Sequence, residues 1–85
     1  MDKELEILKK KLIYRAGYRG TKEMDILLSA FVAEHIQKFN KNELFELDKF
    51  LNFEDSIILN FYHYGIIEKQ IDQNLISKIF KNFKI

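Results

Sequence analysis

At 85 residues, with 47% hydrophobic and 32% charged side chains and a net charge of +1, the chain is long enough for one modest core and too short for a second domain. The composition excludes a disordered chain, and the absence of cysteine excludes a disulfide scaffold, thiol chemistry and most structural zinc sites. The near-neutral charge argues against a protein that lives on phosphate backbones, and no apolar run approaches the roughly 20 residues of a membrane span.

Proline is absent, no segment alternates like a strand, and apolar residues recur at helical spacing throughout. A first helix is predicted from about Lys3 to Arg15, with Leu5, Leu8 and Leu12 on one stripe and Lys9, Lys10 and Lys11 on solvated faces. Gly17 and Gly20 break it. A second helix runs from Gly20 or Thr21 to about Phe39. Gly20 at its N-cap puts Glu23 at the third helical position, where the carboxylate can reach back to free amides, and Glu23 and Asp25 suit the positive end of the dipole. Met24, Leu27, Leu28, Phe31, Val32, His35, Ile36 and Phe39 make a stripe broad enough for a central helix.

Asn40 and Glu43 have capping-box spacing, with Phe39 and Leu44 as a hydrophobic staple, so a third helix starts at Lys41 and stops around Asn52 and Phe53. Glu54 and Asp55 open a short fourth helix, Ser56 to about Tyr64, closed by Gly65. Ile71, Leu75, Ile76, Ile79, Phe80 and Phe83 define a fifth, with Lys78, Lys81 and Lys84 at its negative end. The expected fold is therefore all-α: a compact five-helix bundle spanning residues 1–85 as a single small domain with short connections.

Chemistry concentrates in the connection between the first two helices. Of the 14 basic residues, twelve are lysines, and both arginines, Arg15 and Arg19, lie here with Gly17 and Gly20. The stretch sits on a charge seam, since residues 1–22 carry +4, residues 23–55 carry −5 and residues 56–85 carry +2. Where lysine serves every other need for positive charge, arginine answers a geometric one. Its planar fork binds a carboxylate or a backbone carbonyl in two places. Gly20 permits positive φ or close backbone approach. Beside Glu23 and Asp25 these residues form a candidate recognition surface. The same spacing also suits an exposed i, i+4 pair between Arg19 and Glu23, with the glycines in a plain turn.

Catalytic constellations are mostly missing; Glu23, Asp25 and Glu34 could in principle act as general acids or bases, but on so small a domain they read as surface carboxylates. His35 and His63 have no metal-ligand spacing, and His35 reads as a hydrogen-bonded histidine at the core boundary. His63 belongs to an aromatic cluster, Phe61–Tyr62–His63–Tyr64, which suits packing or a partner surface. Ser29, Ser56 and Ser77 lack a nucleophile-elbow context, and no glycine-rich phosphate loop exists. Binding outranks catalysis.

The run Arg19-Gly20-Thr21-Lys22-Glu23-Met24-Asp25 resembles the R-G-x-x-E-x-D motif of the succinate dehydrogenase flavin-assembly factors, the SdhE family. There the motif lies between helices one and two of a small five-helix protein. The resemblance extends from about Leu5 to Ile79. Gly17 and Tyr18 stand where the family often has basic residues, and Phe61 stands near a common tryptophan. The resemblance implies a protein that is not an enzyme and binds the flavoprotein subunit of succinate dehydrogenase, in some cases of fumarate reductase. It implies promotion of covalent FAD attachment to a histidine of that subunit.

Carried over, Arg19, Gly20 and Glu23 form the contact site and Asp25 supports it, with Arg15 and Tyr18 as neighbouring partner-binding residues. No metal or stably bound cofactor is expected, FAD belonging to the client. No nucleic-acid partner or membrane insertion is expected, and the free chain is expected to be a monomer. A small nucleic-acid-binding or generic protein-interaction module is the alternative. Because no arginine-rich segment precedes Leu5, the expected compartment is a bacterial cytoplasm, with the mitochondrial matrix as alternative.

Overall fold

The computed structural model describes residues 3–85. Helix α1 spans Lys3–Ala16, with Leu12 and Ala16 fully buried and Leu5 and Leu8 packed against the core. Glu4 and Glu6 occupy its first turn and Arg15 its last, each charge opposing the local end of the dipole. Helix α2 covers Lys22–His35, and its N-cap is Thr21, whose hydroxyl accepts from the Met24 N–H. This moves the cap one residue beyond Gly20. Glu23 is thereby the second helical residue, and Asp25 becomes the carboxylate that reaches back.

The predicted continuation of α2 to Phe39 does not occur. The helix closes at Ile36, with a turn through Lys38. The chain needs Asn40 extended (φ −80, ψ 177) to cap α3, Lys41–Phe50. That cap is the reciprocal box read from sequence: Glu43 N–H donates to Asn40 Oδ1 at 2.8 Å and Asn40 N–H to Glu43 Oε1 at 2.9 Å. Two amides that would otherwise lack partners are satisfied, and Phe39 and Leu44 are buried beside them.

Helix α4 runs Asp55–Tyr64 and ends where Gly65 takes φ +70, a left-handed conformation that glycine adopts without steric cost. The predicted fifth helix is divided. Ile71–Gln73 forms a single 3-10 turn, and α5 spans Leu75–Lys81. The divider is Asn74, whose side chain accepts from the Ile76 and Ser77 amides and donates to Glu46 O of α3 at 3.0 Å. Asn74 is a buried polar residue that anchors α5 to α3, a role helical periodicity does not register.

No strand occurs among the described residues. Helix α1 packs on α2 and α3, and α5 on α3 and α4. Phe80 of α5 is the hub. Phe31 of α2 meets it edge-on at 5.1 Å, Phe50 of α3 lies at 5.3 Å and Tyr62 of α4 at 4.9 Å. Aromatic pairs at these separations contribute about 0.5–1.5 kcal/mol each beyond area burial, so one ring couples three other helices. His35 sits at the core boundary as expected, its Nδ1 3.0 Å from Phe31 O, with its ring tilted against Phe31 and stacked on Phe39.

Candidate partner-binding site

The connection Gly17–Thr21 carries the first residues of the motif, Arg19 to Thr21, with Glu23 and Asp25 in the first turn of α2, and its centre is turned inward. The side chain of Arg19 is only 10% exposed. Its Nε donates to Asp55 Oδ1 at 2.8 Å, Nη1 to Leu51 O at 2.7 Å and Nη2 to Phe53 O at 2.8 Å. Leu51 and Phe53 lie just past α3, where helix-end carbonyls lack intrahelical partners and the dipole is negative. Asp55 is the first residue of α4, where the dipole favours an anion. One guanidinium therefore joins the end of α3 to the start of α4. Lysine, a single point charge, cannot hold three acceptors in a plane.

Gly20 completes the clamp. Its N–H donates to Asp55 Oδ2 at 2.8 Å, and a Cβ placed on Gly20 would lie 3.0 Å from that oxygen. Among the described residues Gly65 is the one glycine with positive φ, so Gly20 answers a need for space, not for a left-handed backbone. Asp25 accepts the Arg19 backbone N–H, which fixes the turn from the α2 side. Arg15 acts in parallel: Nη1 pairs with the Asp48 carboxylate and Nη2 donates to Asn52 Oδ1 at 2.6 Å, holding the end of α1 against α3.

The geometric demand inferred for arginine is met within the chain: both guanidiniums have internal partners. The alternative Arg19–Glu23 helix pair does not form, because Arg19 precedes α2 and faces Asp55. What remains outward is Glu23, with a side chain 66% exposed, and Tyr18, which stacks on exposed Tyr14 at a centroid distance of 4.4 Å. Glu23 Oε2 lies 4.0 Å from His63 Nε2 of α4. The structure thus brings Arg19, Gly20 and Asp25 into one clamp and leaves Glu23 and Tyr18 on the surface. Sequence reasoning missed Asp55, the acceptor that organises the clamp. The available signal was an acidic residue at the start of a helix, which was read only as a favourable charge.

Phe61, near the position of the family's tryptophan, is buried beneath Lys81, whose Nζ lies 5.2 Å from the ring centroid, a cation–π arrangement. Among the described residues, no group of three or more His, Cys, Asp or Glu side chains is placed to hold a metal. No helix among them is long and apolar enough to cross a membrane.

Fold and site together define a small all-α domain that presents an exposed glutamate beside a motif turn clamped from within. Residues 10–83 match the family described as flavinator of succinate dehydrogenase, and the chain belongs to that family. It is 45% identical over 51 residues to succinate dehydrogenase assembly factor 2-B, mitochondrial, of Drosophila simulans, and 43% identical over the same length to that of Drosophila melanogaster. Succinate dehydrogenase assembly factor 2-A, mitochondrial, of Drosophila mojavensis is 39% identical. Each match covers 60% of this chain, and the chain spans about a third of the length of these relatives.

Proposed function

We propose that this chain is an assembly factor that binds the flavoprotein subunit of succinate dehydrogenase before the iron–sulfur subunit docks, and that it promotes covalent attachment of FAD to a histidine of that subunit. The observation that carries the reading is the family match across residues 10–83, which includes a clamped turn with Glu23 facing outward. The relatives' names, which describe assembly factors of succinate dehydrogenase, support the same reading. The role is that of a binding protein and not an enzyme.

The chemistry suits such a role. Bond formation needs a client histidine nitrogen held in line with the flavin's C8-methyl group, and orientation of this kind accounts for several kcal/mol of a barrier. A rigid bundle supplies it by holding the client in one arrangement, with no catalytic group of its own, while FAD stays with the client. In this reading Glu23 makes the polar contact, and Tyr18 lies alongside. Arg19, Gly20, Asp25 and Arg15 act from beneath by fixing the turn. The free chain is a monomer. The compartment is one where succinate dehydrogenase is assembled: a bacterial cytoplasm or, in keeping with the relatives' names, the mitochondrial matrix.

The test is covalent flavin on the flavoprotein subunit, read as in-gel fluorescence after expression with this protein, without it, or with its Glu23→Ala form. Fluorescence restored only by the unmodified protein is the expected result. Glu23 is exposed, so the variant should keep its stability within about 0.5 kcal/mol. Restoration by both forms would move the site away from Glu23. No restoration by either, with folded protein and cognate subunit, would overturn the client assignment.

A further inference from the structure

An open apolar cavity of about 450 Å³ lies beside Glu23, between α2, α4 and the segment after α5. Its lining consists of Ile26 and Leu27 of α2, Tyr62 of α4 and Ile85, with Glu23 and His63 at the polar edge. Leu27 is buried and serves as the floor, whereas Ile26 is 52% and Ile85 79% exposed. The Tyr62 hydroxyl donates to Phe83 O at 2.6 Å. That bond satisfies the phenol, so the ring contributes an apolar wall, and it ties the terminal segment to α4. The cavity is thus held by a hydrogen bond unrelated to the motif clamp.

Charge selects the occupant. The neighbouring acids are already engaged, Asp55 by Arg19 and Asp25 by the Arg19 amide. Among the described residues no hydrogen bond reaches the Glu23 carboxylate, and His63 approaches only to 4.0 Å with 45% of its side chain exposed. A mostly solvated carboxylate at the mouth of an apolar hollow complements a cation next to an apolar side chain. The exposed Ile26 and Ile85 extend the apolar rim beyond the hollow, and a protein surface covers such a rim where a small molecule would not.

Resting on the assembly-factor reading, we propose that this cavity is a docking socket for the client protein. An apolar client side chain enters between Ile26, Tyr62 and Ile85, and an adjacent arginine or lysine of the client pairs with Glu23, with His63 flanking the pair. The interaction surface therefore extends from the motif turn across α2 to α4.

The test is the dissociation constant for the purified flavoprotein subunit, measured by titration calorimetry on the full chain at two salt concentrations. Ile26→Ser and Glu23→Gln should each weaken binding by roughly tenfold, as for central contacts of an interface. Added salt should weaken the unmodified protein more than Glu23→Gln, because only the former has the ion pair to screen. Ile85→Ser, at a still more exposed position, guards against a folding defect in Ile26→Ser. Ile7→Ser, at an exposed residue of α1, should leave binding unchanged.

Binding by the unmodified protein that is untouched by both Ile26→Ser and Ile85→Ser would overturn the socket and leave the client reading standing. Loss through the isoleucines with no change in Glu23→Gln would overturn the choice of a cationic occupant. If the unmodified protein fails to bind the subunit, the client reading fails. The socket is then decided by nuclear magnetic resonance with acetyl-leucyl-arginine amide as probe. Shifts at Ile26, Tyr62 and His63 support it, and their absence at millimolar probe overturns it.

Discussion

Replacing Arg19 by lysine preserves the positive charge and removes the fork, which makes it the sharpest test of the clamp. The guanidinium donates to three acceptors at 2.7–2.8 Å with its side chain 10% exposed and that of Asp55 22% exposed. An ammonium at the end of a flexible stem keeps at best the ion pair with Asp55 and leaves the Leu51 and Phe53 carbonyls without this donor. A hydrogen bond to a charged group contributes about 1.5–3 kcal/mol, and bonds sharing one side chain add less than independently. The expected loss is therefore about 2–4 kcal/mol, a large part of the roughly 4–13 kcal/mol total stability of a domain this size. The melting temperature should fall by about 10–25 °C.

Urea and thermal unfolding followed by circular dichroism would read the effect. Arg19→Ala should cost at least as much, because it strands the Asp55 carboxylate against the Gly20 amide alone. A loss below about 0.5 kcal/mol in Arg19→Lys would place it among ordinary surface substitutions. It would refute the clamp and return Arg19 to the partner-facing surface.

Two further outcomes follow from the same geometry and from the α3–α5 junction. Gly20→Ala should destabilise by about 1 kcal/mol, since Asp55 Oδ2, 3.0 Å from the new Cβ, is held by the Gly20 amide while Oδ1 is held by Arg19. Gly17→Ala, whose Cβ would meet Ser29 Oγ at 3.4 Å, should lie within about 0.5 kcal/mol of the parent; equal melting curves for the two variants would sink the comparison. Glu46 is held below the usual glutamate range, first by the Leu75 N–H and then by Lys49. The folded state therefore binds fewer protons than the unfolded state across the acid range, so this contribution is present above the unfolded value and is lost as pH falls through the depressed folded one. The stability difference between the parent and Glu46→Gln should shrink on acidification through that window in urea titrations. A pH-independent difference would contradict the assignment.

Much of the fold was legible because local chemistry and tertiary structure agree. The Asn40–Glu43 box, the Gly65 stop and the apolar stripe of α2 are short-range features, fixed by hydrogen bonds and side-chain spacing within one turn or one face. The errors lie where a side-chain cap, local or reaching a distant acceptor, overrode periodicity, as where Asn40 ends α2 short of Phe39. Asn74 interrupts the last helix because Glu46 O, 28 positions earlier, accepts from its side chain. Thr21, not Gly20, caps α2, since a hydroxyl can take the Met24 N–H and the Gly20 amide is committed to Asp55.

The site divides in the same way. Residue identity alone determined that arginine, glycine and two carboxylates gather at one connection, that each arginine answers a planar, multivalent demand, and that the chain resembles the flavin-assembly factors. Which acceptors meet that demand was decided by tertiary structure. Arg19 and Asp55 are 36 positions apart, and no local pattern encodes that a guanidinium leaving one turn will meet the end of α3 and the start of α4. Only the packed bundle directs Arg19 inward and leaves Glu23 outward, because three partly buried acceptors meet its planar fork at once, and the exposed first turn of α2 offers Glu23 no such set of partners.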